Sequence, residues 1–192
     1  VQEAKHLFKG IKEPSQVQFF MAIALIRLTK YVEAKKILRL LAEKSFKSRD
    51  TEDRFFYYQG LAFYAHFFCR YHQSLYFAQK SFEQTIYLKK SLWKIFSLDL
   101  IGHNHVALGN IYKGIHHLQE AKELARLLGN HAFVKATDIS LLNYECNFSS
   151  KIPIHLKQVE RKIKNLSAID NYSRIVLLLT EAKLEILGGQ MN

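Results

Sequence analysis

The residues that could do chemistry in this 192-residue chain are nine histidines, two cysteines and one glycine-spaced segment. Histidine pairs hold a metal most readily when they share a helix face four residues apart. No two histidines here have that spacing. His103 and His105 would point to different faces, and the adjacent His116 and His117 diverge in the same way. No metal and no cofactor is therefore expected. Cys69 and Cys146 are far apart, form no Cys-x-x-Cys pattern and have no nearby cationic pattern that would argue for a thiolate, so both read as small buried residues rather than ligands or thiolates. Gly109 and Gly114 have the glycine spacing of a phosphate loop, but Ile115 and His116 follow where Lys and Ser or Thr are required. Gly-x-Ser-x-Gly, His-Glu-x-x-His and Gly-x-Gly-x-x-Gly are all missing from the sequence. The chain is not expected to be an enzyme.

The elements that position these residues are legible from composition and spacing. Hydrophobic residues make up 48%, enough for a packed core, while only 2 Pro and 8 Gly are present. An average chain of this length carries about 10 Pro and 13 Gly, so folds rich in tight turns are disfavoured. Apolar residues recur at helical steps, as in Met21, Ala24, Leu25, Leu28 and in Leu61, Tyr64, Ala65, Phe68. Ser15 with Gln18 has capping-box spacing, Asp50 or Thr51 precedes the helix carrying Phe55 to Phe68, and Gly129 with Asn130 is a helix stop. The longest uncharged stretch, Phe55 to Cys69, is too short for a membrane span, which needs about 20 residues. The chain opens at Val1 without Met or a signal-like segment and so reads as a piece of a longer, cytoplasmic protein.

The helix pairs repeat. Placing the second helix of each pair at Tyr31, Tyr71, Ile115 and Lys151 gives separations of 40, 44 and 36 residues. Ahead of these come Ala24-Leu25-x-x-Leu28, Tyr64-Ala65-x-x-Phe68, Leu108-Gly109-x-x-Tyr112 and Tyr144-Glu145-x-x-Phe148. Leu108-Gly109-Asn110-Ile111-Tyr112 resembles the first-helix motif of the tetratricopeptide repeats, and Tyr71 through Ser74 and Ser81 resembles their second helix. The period is nearer 40 than the usual 34, similar to the longer repeats of some bacterial sensory regulators. The resemblance implies an all-α, right-handed superhelical solenoid of antiparallel helix pairs: one domain over residues 1–192, with about four repeats and a terminal helix.

It also implies a non-catalytic protein- or peptide-binding module whose first helices line a concave groove. Carried over position by position, the groove residues are Gln59, Ala62, His66 and Cys69 in the second repeat and His103, Val106, Asn110 and Lys113 in the third. The first repeat gives Phe19, Ala22, Ile26 and Thr29, and the fourth Ile139, Leu142, Cys146 and Ser149. Asn110 would hold a partner's main chain by donating and accepting at once, and Lys113 would favour an acidic group.

The net charge of +11 supports a rival reading. Lys35, Lys36 and Arg39 cluster on one second helix and Lys157, Arg161 and Lys164 on another, forming outer patches suited to nucleic acid or an acidic partner. A third reading is a homodimerising scaffold in which the terminal helix leaves Leu179 and Ile186 to seek a partner. The aromatic run Phe55, Phe56, Tyr57, Tyr58, Phe63, Tyr64, Phe67, Phe68 is expected to pack between repeats.

Overall fold

The computed structural model describes residues 14–48, 50–88, 91–148, 178–180 and 182. Among them the chain is entirely helical, with no strand. The helices with described bounds follow in order: α1 (Ser15–Arg27), α2 (Tyr31–Lys47), α3 (Thr51–Phe67), α4 (Tyr71–Leu88), α5 (Ser91–Ala107), α6 (Ile111–Leu127) and α7 (His131–Phe148), and residues 178–180 and 182 are helical as well. No helix of the described residues is long and apolar enough to cross a membrane. The chain divides into two compact units, Val1–Gly114 and Ile115–Asn192, with the boundary inside α6.

Local signals explain where most helices begin and end. Asp50 caps α3, its side chain accepting from Glu52 N at 2.9 Å. Asn130 caps α7, accepting from Phe133 N at 3.1 Å. At α1 the capping-box expectation fails. Pro14 is the N-cap, and Ser15 turns inward to donate to Asp53 of α3.

Four of the connections are the same three-residue turn. In Leu28–Lys30, Phe68–Arg70, Leu108–Asn110 and Leu128–Asn130, the last residue's N–H reaches the carbonyl five residues back at 2.8–2.9 Å. The middle residue's N–H reaches the carbonyl three residues back at 2.9–3.0 Å. These two bonds define the Schellman helix end, whose middle position is left-handed. Gly109 (φ 82°) and Gly129 (φ 70°) suit it, whereas Thr29 (φ 61°) and Cys69 (φ 57°) hold it against the steric cost of a Cβ. Cys69 is accordingly exposed in a turn, not buried as its sequence context suggests.

These turns correct the repeat register. The third second-helix begins at Ile111, not Ile115, so Tyr31, Tyr71 and Ile111 follow one another at 40 and 40 residues. Leu108-Gly109-Asn110-Ile111-Tyr112, expected inside a first helix, instead straddles the α5–α6 turn, and Tyr112 is 92% exposed. The physical reason is that a glycine can serve either a close helix contact or a helix end. Gly109 does the second, with nothing within 4 Å of an added Cβ. The close contact belongs to Gly114, where a Cβ would meet Gly102 O at 2.7 Å and Val106 N at 2.8 Å.

In unit 1 each helix packs on its neighbour in sequence, and α3 also lies beside both α1 and α5. The core gathers Phe19, Ala22, Leu38, Leu41, Phe55, Phe56 and Trp93 from four helices. Phe56 meets Phe19 and Trp93 at ring-centroid distances of 5.5 and 4.9 Å. The front of the aromatic run is therefore inter-repeat packing, as expected, whereas Phe67 and Phe68 at its end are exposed. In unit 2 Leu118, Ala121 and Ala125 of α6 are fully buried, and Lys122 pairs with Asp138 of α7 at 2.6 Å.

Candidate functional site

Residues 40 apart occupy equivalent places in unit 1, and the polar ones among them converge in its interior. Asn104 of α5 is fully buried. Its Nδ2 donates to Ser74 Oγ of α4 at 2.8 Å, and Ser74 donates on to Ala62 O of α3 at 2.7 Å. Asn104 Oδ1 lies 2.8 Å from His66 Nδ1. Because Asn104 Oδ1 can only accept, the proton of neutral His66 sits on Nδ1, leaving Nε2 as the acceptor. Two helical turns away a second buried set repeats this construction. Ser81 donates to Gln59 Oε1 at 2.6 Å and lies 2.8 Å from Ser97 Oγ, while Gln59 Nε2 donates to Phe96 O at 3.1 Å. Each set joins α3, α4 and α5, and the members are seven residues apart on each helix: 59 and 66, 74 and 81, 97 and 104.

Around His66 the electrostatics are divided. Burial lowers the His66 pKa, and the nearby His103 adds to the effect, against opposing contributions from Asn104 and Asp99. At neutral pH this ring is uncharged. Burial also disfavours charge on His103, but the charge and hydrogen bond of Asp99 together outweigh it and raise that pKa. His103 Nε2 stands 3.5 Å from Asp99 Oδ1, and the two imidazoles are 6.3 Å apart. Tyr71 stacks edge-on to His66 at 5.4 Å, and its hydrogen bond to Cys69 raises its own pKa.

The arrangement brings Ser, Asn and His together, yet the serine bonds to the asparagine and not to the imidazole. Nucleophilic activation requires the base within reach of the hydroxyl, and the Ser74 hydrogen is committed to a backbone carbonyl. What this geometry does is satisfy polar groups between three helices and fix their register. The sequence offered one signal, small hydroxyl residues at Ser74 and Ser81 on a core face. It did not reveal that Asn104, Gln59 and Ser97 meet them.

The expected groove residues separate into three environments. Gln59, Ala62 and Val106 are buried between helices, as are Phe19, Ala22 and Ile26 of the first repeat and Ile139 and Leu142 of α7. His66 and His103 are half-buried and adjacent. Asn110 is exposed in the α5–α6 turn and Lys113 is exposed on the first turn of α6, so neither shares a first helix with His103 and Val106. Thr29 and Cys69 are turn residues. Lys35, Lys36 and Arg39 are exposed on α2. Lys157, Arg161, Lys164, Ser149, Ile186 and the Cys146 side chain lie outside the described residues. Leu179 is described and exposed.

Large apolar side chains in solvent were not anticipated at one place. Phe46 near the end of α2 is 78% exposed, and its equivalent Ile86 on α4 is 67% exposed, with Tyr87 beside it at 75%. Phe46 leans on Tyr57 at 5.8 Å, and Tyr57 on Tyr58 at 5.4 Å. An open cleft of about 580 Å³ adjoins Ile86 and Tyr87, lined by Thr51, Arg54, Glu83 and Gln84.

No protein-family model, no curated protein and no solved structure matches this chain.

Proposed function

We propose that the chain is a non-catalytic binding module that holds a protein partner, in the manner of tetratricopeptide-like helical repeats. The observation that carries this reading is the recurrence of exposed Phe46 and Ile86, with Tyr87, at equivalent positions of successive helix pairs. Aromatic and aliphatic side chains left in solvent on a rigid element are the usual anchors of protein interfaces. The scaffold beneath is suited to the role, since its interior polar groups bond to one another and leave helix α3 fixed. Arg54 and Glu83 at the cleft would supply a polar rim.

The test is capture of a partner by the immobilised chain, compared with Phe46→Ser/Ile86→Ser/Tyr87→Ser and, separately, with Asn110→Ala/Lys113→Glu. The first variant is expected to lose the captured protein. If only the second loses it, the contact surface is the α5–α6 turn side. Unchanged capture by both removes the reading.

A second reading rests on the exposure of Lys35, Lys36 and Arg39 along α2, which suits nucleic acid or an acidic partner. It requires binding that weakens steeply with salt, and a shallower salt slope in Lys36→Glu/Arg39→Glu.

A further inference from the structure

We propose that His116, His117 and Glu120 form a Zn²⁺ site on the flank of α6, with water completing the coordination. Their donor atoms all lie within 4.8 Å of one another. His117 Nδ1 is 4.0 Å from Glu120 Oε2, and the two imidazole centroids are 5.9 Å apart. At 3.6 residues per turn, adjacent histidines diverge by about 100°, which is why the pair by itself makes no site. Glu120 changes this. It stands four residues after His116 and three after His117, so it falls between them on the helix surface and its carboxylate reaches toward both.

Two neutral imidazoles and one carboxylate are the donor set of open three-ligand zinc sites, in which water takes the fourth position. Ligand atoms around tetrahedral zinc are about 3.4 Å apart, so closure needs only small side-chain rotations. The backbone beneath is already held. Leu118, Ala121 and Ala125 are fully buried on the adjoining face of α6, and Lys122 is paired with Asp138. Nor does the repeat framework demand these residues. At the equivalent positions α4 carries Tyr76, Phe77 and Lys80, and α2 carries Lys36, Ile37 and Leu40. The ligand set belongs to this helix alone among the three.

The test is titration of the full chain with Co²⁺ at pH 7.5, followed by visible absorption, with Zn²⁺ as competitor. Binding of about one equivalent, displaced by Zn²⁺, is expected, and His116→Ala, His117→Gln and Glu120→Gln should each weaken it about tenfold or more. The exposed His72→Ala should leave it unchanged. Affinity should fall as the solution is made acidic, because protons compete with the metal for its ligand atoms. Circular dichroism of each variant confirms that α6 is intact, and His116→Ala, at an exposed position, keeps the test valid if His117→Gln disturbs packing. No saturable binding up to about 1 mM, far above the range of a specific site, would overturn the proposal. So would undiminished binding in the ligand variants, or loss of binding in His72→Ala.

Discussion

His66 and His103 show how far two neighbouring residues of one type can be driven apart by their surroundings. Burial is the leading influence on both, and it disfavours charge on both. Only His103 has a carboxylate close enough to reverse the effect. The consequences for stability have opposite signs. His66 is lowered, so its contribution is fully present above the ordinary histidine pKa of about 6.5 and is lost as pH falls below it. His103 is raised, so its contribution is present below about 6.5 and is lost as pH rises through its own higher value. A histidine titration by NMR should therefore find His66 protonating below, and His103 above, the ordinary histidine value of about 6.5. In Asp99→Asn the His103 shift should invert, because burial is then unopposed. A His103 that still titrates high in that variant would mean that Asp99 is not the cause. The chain placed His66 and His103 at groove positions and Asp99 one helical turn before His103, but it did not show that burial acts on both rings and that only one is answered by a carboxylate.

At the scale of the helix and its turn, glycine has two separate uses that the letter alone does not distinguish. Gly109 supplies a left-handed φ and touches nothing, so Gly109→Ala should cost about 1 kcal/mol, all of it conformational. Gly114 lets α6 approach the backbone of α5, and Gly114→Ala should cost about 2–3 kcal/mol because carbonyl and amide atoms must move. Thr29→Gly, relieving a β-branched residue at φ 61°, should gain up to about 1 kcal/mol. Urea midpoints at constant slope measure all three. An equal cost at Gly109 and Gly114 would contradict the assignment of their roles. This ambiguity is what shifted the third repeat by four residues. Asp50 and Gly129 were legible because a cap and a stop act on their own helix; Gly109 was not, because only its neighbours reveal whether a helix passes close by.

For the whole molecule, within unit 1 α3 carries the buried pair Phe55 and Phe56 and takes part in both polar sets, which tie it to α4. Amides of these helices are expected to exchange more slowly with solvent than those of α1 and α2, and Asn104→Ala should bring them closer together. Slowest exchange in α1 would place the stable centre elsewhere. What the sequence by itself determined was the helical class, the pairing of helices and a repeat of about 40 residues. Apolar spacing, caps and the scarcity of proline and glycine are local properties, and local properties are written in order along the chain. Only the tertiary structure decided the register of the third pair, the exposure of Phe46 and Ile86, the inward use of Gln59, Ser74 and Asn104, and the meeting of Glu120 with two histidines. A polar residue in a helix reads alike whether it faces water or a matching partner. Which of the two it meets depends on helices whose contacting residues lie from 12 to 38 positions apart.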